Sequence, residues 1–386
     1  MVSSHLSSGL PQRPATALLL TGGGARAAYQ VGVLLAIAKL YQRRDHSPFQ
    51  ILCGSSAGAI NATALACDSA CFHLGVKRLD NVWRHFSSGQ VYRSDWAGIG
   101  RHLVSQLASR WRADYGYQRP VSLFDNHPLR QLLTRLVDFR RIDRNISRGI
   151  LRAVAVTASS YTTGQSLTFF QGATHLQPWQ RAKRHGQRAL LSTSHLLASS
   201  AIPFVFPSVR IHQHYYGDGS INQLAPLSPA IHLGAQRLLI VGVEQPPGNR
   251  GISGIDRHPS SATIAGHLLD TVFADTLQSD LERLERINRT LRHLPDGVAP
   301  GGDLRPIDCL LINPSLDFSA IAQRHYRALP RPLRALLRVV GINDDYGGSL
   351  LSYLLFERSY TQELIQCGFD DASARRQDLE GLLLAP

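Results

Sequence analysis

Three short segments hold residues whose types and order could break an ester. Gly54-Ser55-Ser56-Ala57-Gly58 is a G-x-S-x-G sequence set between an apolar run, FQILC, and small helix-compatible residues, AGAINATALAC. Its glycines permit a strained strand-to-helix turn that lifts the Ser56 hydroxyl clear of the backbone, and the N-terminus of the following helix favours developing negative charge. The bland alternative is a Ser/Gly loop that merely joins two elements. Gly22, Gly23 and Gly24, followed by Ala25 and Arg26, leave the apolar run ALLLT. Three successive glycines let backbone N–H groups converge on one point, which suits a phosphate or the oxyanion of acyl transfer. Gly217-Asp218-Gly219-Ser220 follows YYG and is an Asp-Gly turn, structurally ordinary when taken alone.

The glycine loop admits other readings. Through Ala27 it spells G-x-G-x-x-A, and Asp45 lies at the distance of a ribose-binding carboxylate. Asp45 precedes its strand, however, where a dinucleotide fold needs it at the strand's end. A phosphate-binding P-loop fails because no Gly-Lys-Ser/Thr follows. The 16 histidines invite a catalytic triad, with His232, His258, His267, His293 and His325 downstream of Asp218, yet none sits in a recognisable turn motif. His212 and His214 suit an exposed strand or hairpin better than a metal, since no carboxylate or Cys stands at companion spacing. The five cysteines are scattered without Cys-x-x-Cys pairs, which speaks against zinc or a disulfide framework and for a reducing compartment. Cys53, beside the Ser56 turn, reads as a small buried strand residue.

The elements that must position these residues are legible from periodicity. ALLLT (17–21), glycines and AAYQVGVLLAIAKL (27–40) read as strand, turn and helix, and FQILCGS with AGAINATALAC repeats the unit. Two such units imply a parallel sheet covered by helices. Strand patterns return at 151–159, 166–170, 238–243 and 307–315, with a basic loop at 181–188. The two Pro/Gly-rich stretches at 245–261 and 294–306 read as loops, with a long amphipathic helix or a pair of helices between them. Residues 347–368 read as one helix with Ser349 near its N-cap and Gly368 closing it. The expected class is α/β, a central, mainly parallel sheet between helices, with helical inserts. A polar tail (1–16) precedes a core over 17–243, and a mainly helical extension (244–386) is expected to return a strand to the same sheet.

In chain order, glycine loop, G-x-S-x-G elbow and Asp turn each leave a strand. Together they resemble the patatin-like phospholipases, whose pattern is a GGGxR/KG loop, a G-x-S-x-G elbow and a DGG or DGA turn. TASSYTTGQSLTFF and ASSAIPFVFP extend the resemblance. It implies Ser56 as nucleophile, Asp218 as base, and an oxyanion hole from the backbone of Gly22, Gly23 and Gly24 with Arg26 alongside. Gly54, Gly58 and Gly219 would shape elbow and turn. The implied activity is a phospholipase A-type lipid acyl hydrolase working through a Ser-Asp dyad and an acyl-enzyme, with neither cofactor nor metal. Acyl transfer to an acceptor other than water would use the same acyl-enzyme. A catalytically silent lipid-binding scaffold is the alternative from another class, which intact Ser56 and Asp218 oppose. Ala27 stands where the family usually has Gly, and Ser220 where it has Gly or Ala; both are small. A carboxylate base begins about three pH units too acidic for neutral work, so burial must raise its pKa from about 3.9.

Composition bounds the rest. Hydrophobic residues make up 44% and charged residues 18% of 386, the profile of a folded chain with a sizeable core, which excludes wholesale disorder, collagen and coiled coil. No apolar stretch reaches the roughly 18 residues of a membrane span, and the first residues lack a signal-peptide pattern. The expected location is cytoplasmic. The net charge is +13, and only Lys39, Lys77 and Lys183 among the 41 cations are not Arg. Arg-rich stretches at 130–152 and at Arg327, Arg331, Arg334 and Arg338 suit either surface helices docked on the core or peripheral contact with the anionic inner face of a membrane. Nucleic-acid binding lacks the aromatic interleaving it would need.

Overall fold

A computed structural model describes residues 14–95, 98, 100, 122–244, 261–295, 304–339, 341–343 and 347–384. The expected loop over 245–261 apart from Ser261, most of that over 294–306, and nearly all of the polar tail lie outside the described residues. The strands are β1 (Thr16–Leu20), β2 (Ile51–Ser55), β3 (Ala153–Ser160), β4 (Ser166–Gly172), β5 (Trp179–Arg181), β6 (Arg184–Arg188), β7 (Val209–Ile211), β8 (His214–Gly217), β9 (Arg237–Val241) and β10 (Asp308–Ile312). The helices the site depends on begin with α1 (Ala28–Leu40), α2 (Ser56–Cys67), α3 (Phe72–Arg84), α4 (Ser88–Val91), α5 (His127–Leu136), α6 (Arg140–Ser147) and α7 (Thr193–Ser199). They continue with α8 (Ser228–His232), α9 (Ser261–Arg292), α10 (Phe318–Arg324), α11 (Arg331–Val339), α12 (Gly348–Leu354), α13 (Arg358–Ala374) and α14 (Arg376–Leu384).

The strands form one sheet in the order β10-β9-β1-β2-β3-β4-β6-β5. The first five are mutually parallel, and β4 turns antiparallel to β3. Burial on both faces explains why β1, β2 and β9 are nearly continuous apolar runs. Leu18, Leu20, Leu52, Val154 and Val156 point into the larger core beneath α1, α2 and α3. Ala17, Leu19, Ile51, Cys53 and Ala155 point the other way, against Leu277, Leu281 and Leu284 of α9. The chain is thus an α/β sandwich. The order reverses at β1, which has β2 on one side and β9 on the other, so the switch point of this sheet lies at the C-terminal ends of β1 and β9, beside the end of β2.

Two local expectations change. The basic stretch 181–188 is part of a hairpin, β5 and β6, turned at Lys183 with φ 58°. The expected single helix over 347–368 is two, α12 and α13, interrupted at 355–357, and Gly368 lies inside α13. A Cβ at Gly368 would stand 2.1 Å from the Tyr29 carbonyl oxygen of α1, so this glycine allows two helices to cross closely and does not end one. Residues 130–152 hold the end of α5 and then α6, and Leu333 and Leu337 beneath the Arg series of α11 are buried in the core, as for surface helices docked on it.

Candidate active site

The elbow is built where β2 ends. Ser56 takes φ 53°, the left-handed region that a side chain rarely adopts, at the junction of β2 and α2. Such a conformation persists only where its surroundings hold it. Gly58 supplies one constraint, because a Cβ there would stand 2.3 Å and 2.4 Å from the carbonyl oxygens of Leu20 and Thr21. The first turn of α2 therefore rests directly on the end of β1, which delivers Gly22, Gly23 and Gly24 beside the elbow. At Gly54 a Cβ would likewise clash with the Gly58 carbonyl oxygen, at 2.5 Å. None of the three loop amides is engaged by another described residue, and Gly24 shares a cavity with Ser56.

Asp218 arrives by a different route. β2 pairs with β3 only through Ser55 and Thr157, and β4 occupies the opposite edge of β3. Past the end of β2, β8 takes up the vacated edge, with Gly217 opposite Ser159. The next residue is Asp218, which this register sets above the elbow. Gly219 closes the fit, since a Cβ on it would stand 2.0 Å from the Thr157 carbonyl oxygen. The carboxylate is buried, and Oδ1 accepts the Ser220 amide at 2.9 Å. Among the described residues neither Oδ2 nor the Ser56 Oγ has a hydrogen-bond partner, and both atoms are shut off from solvent. Desolvation drives the Asp218 pKa up to about 6; the nearby Ser56 hydroxyl and the Ser220 amide and hydroxyl pull against that rise. Ser56 thus lies within electrostatic reach of the carboxylate, short of a formed hydrogen bond.

Ser199, at the end of α7, ties the two halves together and carried no signal in the sequence beyond its place in ASSAIPFVFP. Its hydroxyl accepts the Ser56 amide at 2.9 Å and donates to the Thr157 carbonyl at 2.6 Å. Its own carbonyl accepts the Gly219 amide at 2.9 Å. One fully buried serine is therefore bonded to the strained residue, to β3 and to the Asp turn.

Arg26 is held by the C-terminal part of the chain. Its guanidinium lies over the Tyr353 ring, 3.8 Å from the centroid, and bonds to Ser352 Oγ, to Tyr353 Oη and to Asp270 of α9. Nη2 is buried without a partner among the described residues. These partners stand some 240 to 330 positions away in sequence, beyond the reach of any local motif.

The histidines go elsewhere. His232 stacks on Trp179, His325 pairs with Glu363, and His258 lies outside the described residues. Among the described residues no histidine bonds to Ser56 or Asp218. His212 and His214 flank the β7–β8 hairpin turn, and Asp45 is an exposed partner of His46. All five cysteines are free; burial pushes the Cys53 thiol up, out of the reactive range. Among the described residues no His, Cys, Asp and Glu side chains group as a metal site, and no helix is long and apolar enough to cross a membrane.

The cavity that holds Ser56 measures about 640 Å³. It runs down one stripe of α2 through Ile60 and Ala64 to Cys67, walled by α3 and α5. Over residues 18–231 the sequence matches the family described as patatin-like phospholipase.

The chain belongs to the patatin-like phospholipase family.

Membership of this family supports a lipid hydrolase at family level. Among curated proteins no sequence relative is found. Solved structures with similarity include human GIVD cytosolic phospholipase A2 in complex with methyl gamma-linolenyl fluorophosphonate, at 12% identity and TM-score 0.42, covering 96% of this chain and 59% of that one. VipD from Legionella pneumophila is similar at 12% identity and TM-score 0.35, over 91% of this chain and 67% of that one. The type III effector ExoU of Pseudomonas aeruginosa is similar at 16% identity and TM-score 0.33, over 95% and 53%. The chain thus spans just over half to two thirds of these proteins.

Proposed function

We propose that this patatin-like protein hydrolyses carboxylic esters of lipids, as a phospholipase A-type enzyme, through a Ser56–Asp218 dyad. The observation that carries the reading is the pair of unpartnered, solvent-excluded atoms, Ser56 Oγ and Asp218 Oδ2, in one buried site. As Oγ attacks the ester carbonyl carbon, its proton passes to Asp218. The tetrahedral oxyanion forms beside the free amides of Gly22, Gly23 and Gly24, where preorganised donors supply the largest catalytic term. Collapse breaks the bond to the leaving alkoxide, which takes the proton from Asp218 and leaves an acyl-Ser56 ester. Water then gives a proton to Asp218 and attacks the acyl carbon; release of the acid returns the proton to Ser56. A base with a pKa of about 6 is ionised at neutral pH yet basic enough to share the proton in flight. Contact with an anionic membrane surface would bring substrate to the site through the exposed arginines.

Incubation with a mixed phospholipid and neutral-lipid panel, read by mass spectrometry, tests this. Free fatty acid with lysolipid is expected. A new ester in place of free acid would move the assignment to acyl transfer, and no product together with no fluorophosphonate label on Ser56 would remove it.

A further inference from the structure

Resting on the acyl-ester reading above, the cavity along α2 carries a statement about the substrate itself. Ser56, Ile60, Ala64 and Cys67 line it at helical spacing, so its floor is the full length of one helix face. The opposing wall comes from α3, which runs back antiparallel: Trp83 donates to Asn61 at 2.9 Å near the serine end, and Arg78 bonds Asp68 at 3.0 Å at the other. Leucines 129, 132 and 133 of α5 form the second wall. Near Ser56 no cation among the described residues lines this cavity, whereas its far end is charged. There the buried Asp68 is gripped by Arg78 and by Arg141, at 2.6 Å, with Lys77 and Arg135 beside them.

We propose that this groove is the seat of a single unbranched acyl chain, its ester carbon at Ser56 and its methyl end at the Asp68–Arg78–Arg141 cluster, with Ile60 and Ala64 setting usable length. An apolar chain gains by lying on this floor, and the ion cluster offers it nothing beyond Cys67. From Ser56 to Cys67 the helix advances about 16 Å at about 1.5 Å per residue. One leaflet's share of a bilayer's hydrocarbon thickness is about 15 Å, so the groove matches a membrane-lipid chain in length. A zigzag of C–C bonds of about 1.5 Å advances about 1.25 Å per carbon, which places the end of the groove at about 13 carbons, Ala64 at about 10 and Ile60 at about 5. A headgroup lying in the groove instead would meet apolar walls along most of its length.

The test is a series of p-nitrophenyl esters from butanoyl to hexadecanoyl, assayed as monomers. For the wild type, kcat/KM should rise about twofold per methylene, half the effect of the roughly 0.8 kcal/mol for full burial because the cavity is only partly enclosed, and level off near about 13 carbons. Ala64→Trp should bring the plateau to about 8 or 9 carbons, its ring leaning toward the helix N-terminus, and erase a dodecanoyl-over-octanoyl preference of about 16-fold. Ile60→Trp should shorten the plateau further, to about 4 carbons. Binding is measured separately by titrating Ser56→Ala with octanoylglycerol and dodecanoylglycerol in a calorimeter. Tighter binding of the longer glyceride, by about 16-fold, should collapse to within about twofold when Ala64→Trp is added. Length profiles unchanged in both Trp variants, each with native circular dichroism, would overturn the groove assignment; Ala64→Phe serves if Trp disturbs the fold. If the wild type cleaves no ester while Ser56→Ala still discriminates the two glycerides through Ala64, the hydrolase reading falls and the groove stands.

Discussion

Asp218→Asn separates chemistry from stability. A buried carboxylate whose folded pKa is about 6 against 3.8 unfolded binds its proton more tightly in the folded state. Folding stability therefore falls as pH rises from 3.8 through 6, and the full cost, about 2 pKa units or about 3 kcal/mol, persists above that. At pH 4.5 only about 1 kcal/mol of it has developed. Asparagine keeps the shape and an acceptor for the Ser220 amide but cannot ionise, so its stability should not follow this curve. The difference in unfolding free energy between Asp218→Asn and wild type should move by about 2 kcal/mol in favour of the variant between pH 4.5 and pH 8. Any fixed cost of burying the amide cancels in that comparison. For 386 residues, with about 2.1 cal/mol/K of unfolding entropy each, this is about 2 to 3 °C in Tm. Urea melts at the two pH values read it directly, alongside ester hydrolysis, which the variant should lose. In the wild type, kcat/KM should fall about tenfold per pH unit below 6, because the protonated acid cannot serve as base. A stability difference that is the same at both pH values would refute the desolvation argument and, with it, the case for Asp218 as a neutral-pH base.

The remaining expectations address the elbow and its supports. Ser56→Ala and Ser56→Gly should both lose hydrolysis and fluorophosphonate labelling, but the glycine variant should be about 1 kcal/mol more stable to urea than the alanine variant, because φ 53° costs glycine nothing. Equal stabilities would mean that the elbow is unstrained. Ser199→Ala leaves the Ser56 amide and the Thr157 carbonyl without their partner; a loss of about 2 kcal/mol and a fall in kcat of at least about tenfold with little change in KM are expected. An unchanged kcat would reduce Ser199 to packing. Asp270→Asn removes the carboxylate facing the buried Arg26, which should cost about 2 to 3 kcal/mol, below the 3 to 5 of a fully enclosed pair because Asp270 is a quarter exposed. A neutral result in a denaturant melt would show the hydroxyls of Ser352 and Tyr353 to be sufficient.

Local pattern determined a large part of this protein. Apolar runs ended by glycine could only be strands leaving into turns, and small residues after Gly54 could only continue as a helix, so β1, β2 and the helices after them were legible because each depends on neighbours within a turn or two. The residue types that could do chemistry, Ser56 and Asp218, were legible for the same reason. Their meeting was not. It depends on β8 occupying the edge of β3 that β2 vacates after Ser55, so that β3 pairs with one strand about 100 positions before it and another about 60 after it, a combination no spacing encodes. The same holds for Ser199, whose hydroxyl matters only through the two backbone groups it joins, and for Arg26, whose partners arrive from α9 and α12. Gly368 was misread for this reason too: within its own segment it looks like a helix end, and only the crossing with α1 shows why a side chain is forbidden there. Desolvation completes the division. A carboxylate carries its ordinary acidity in any sequence, and only enclosure by the tertiary fold, by removing the water that stabilises its charge, makes Asp218 basic enough to take a proton.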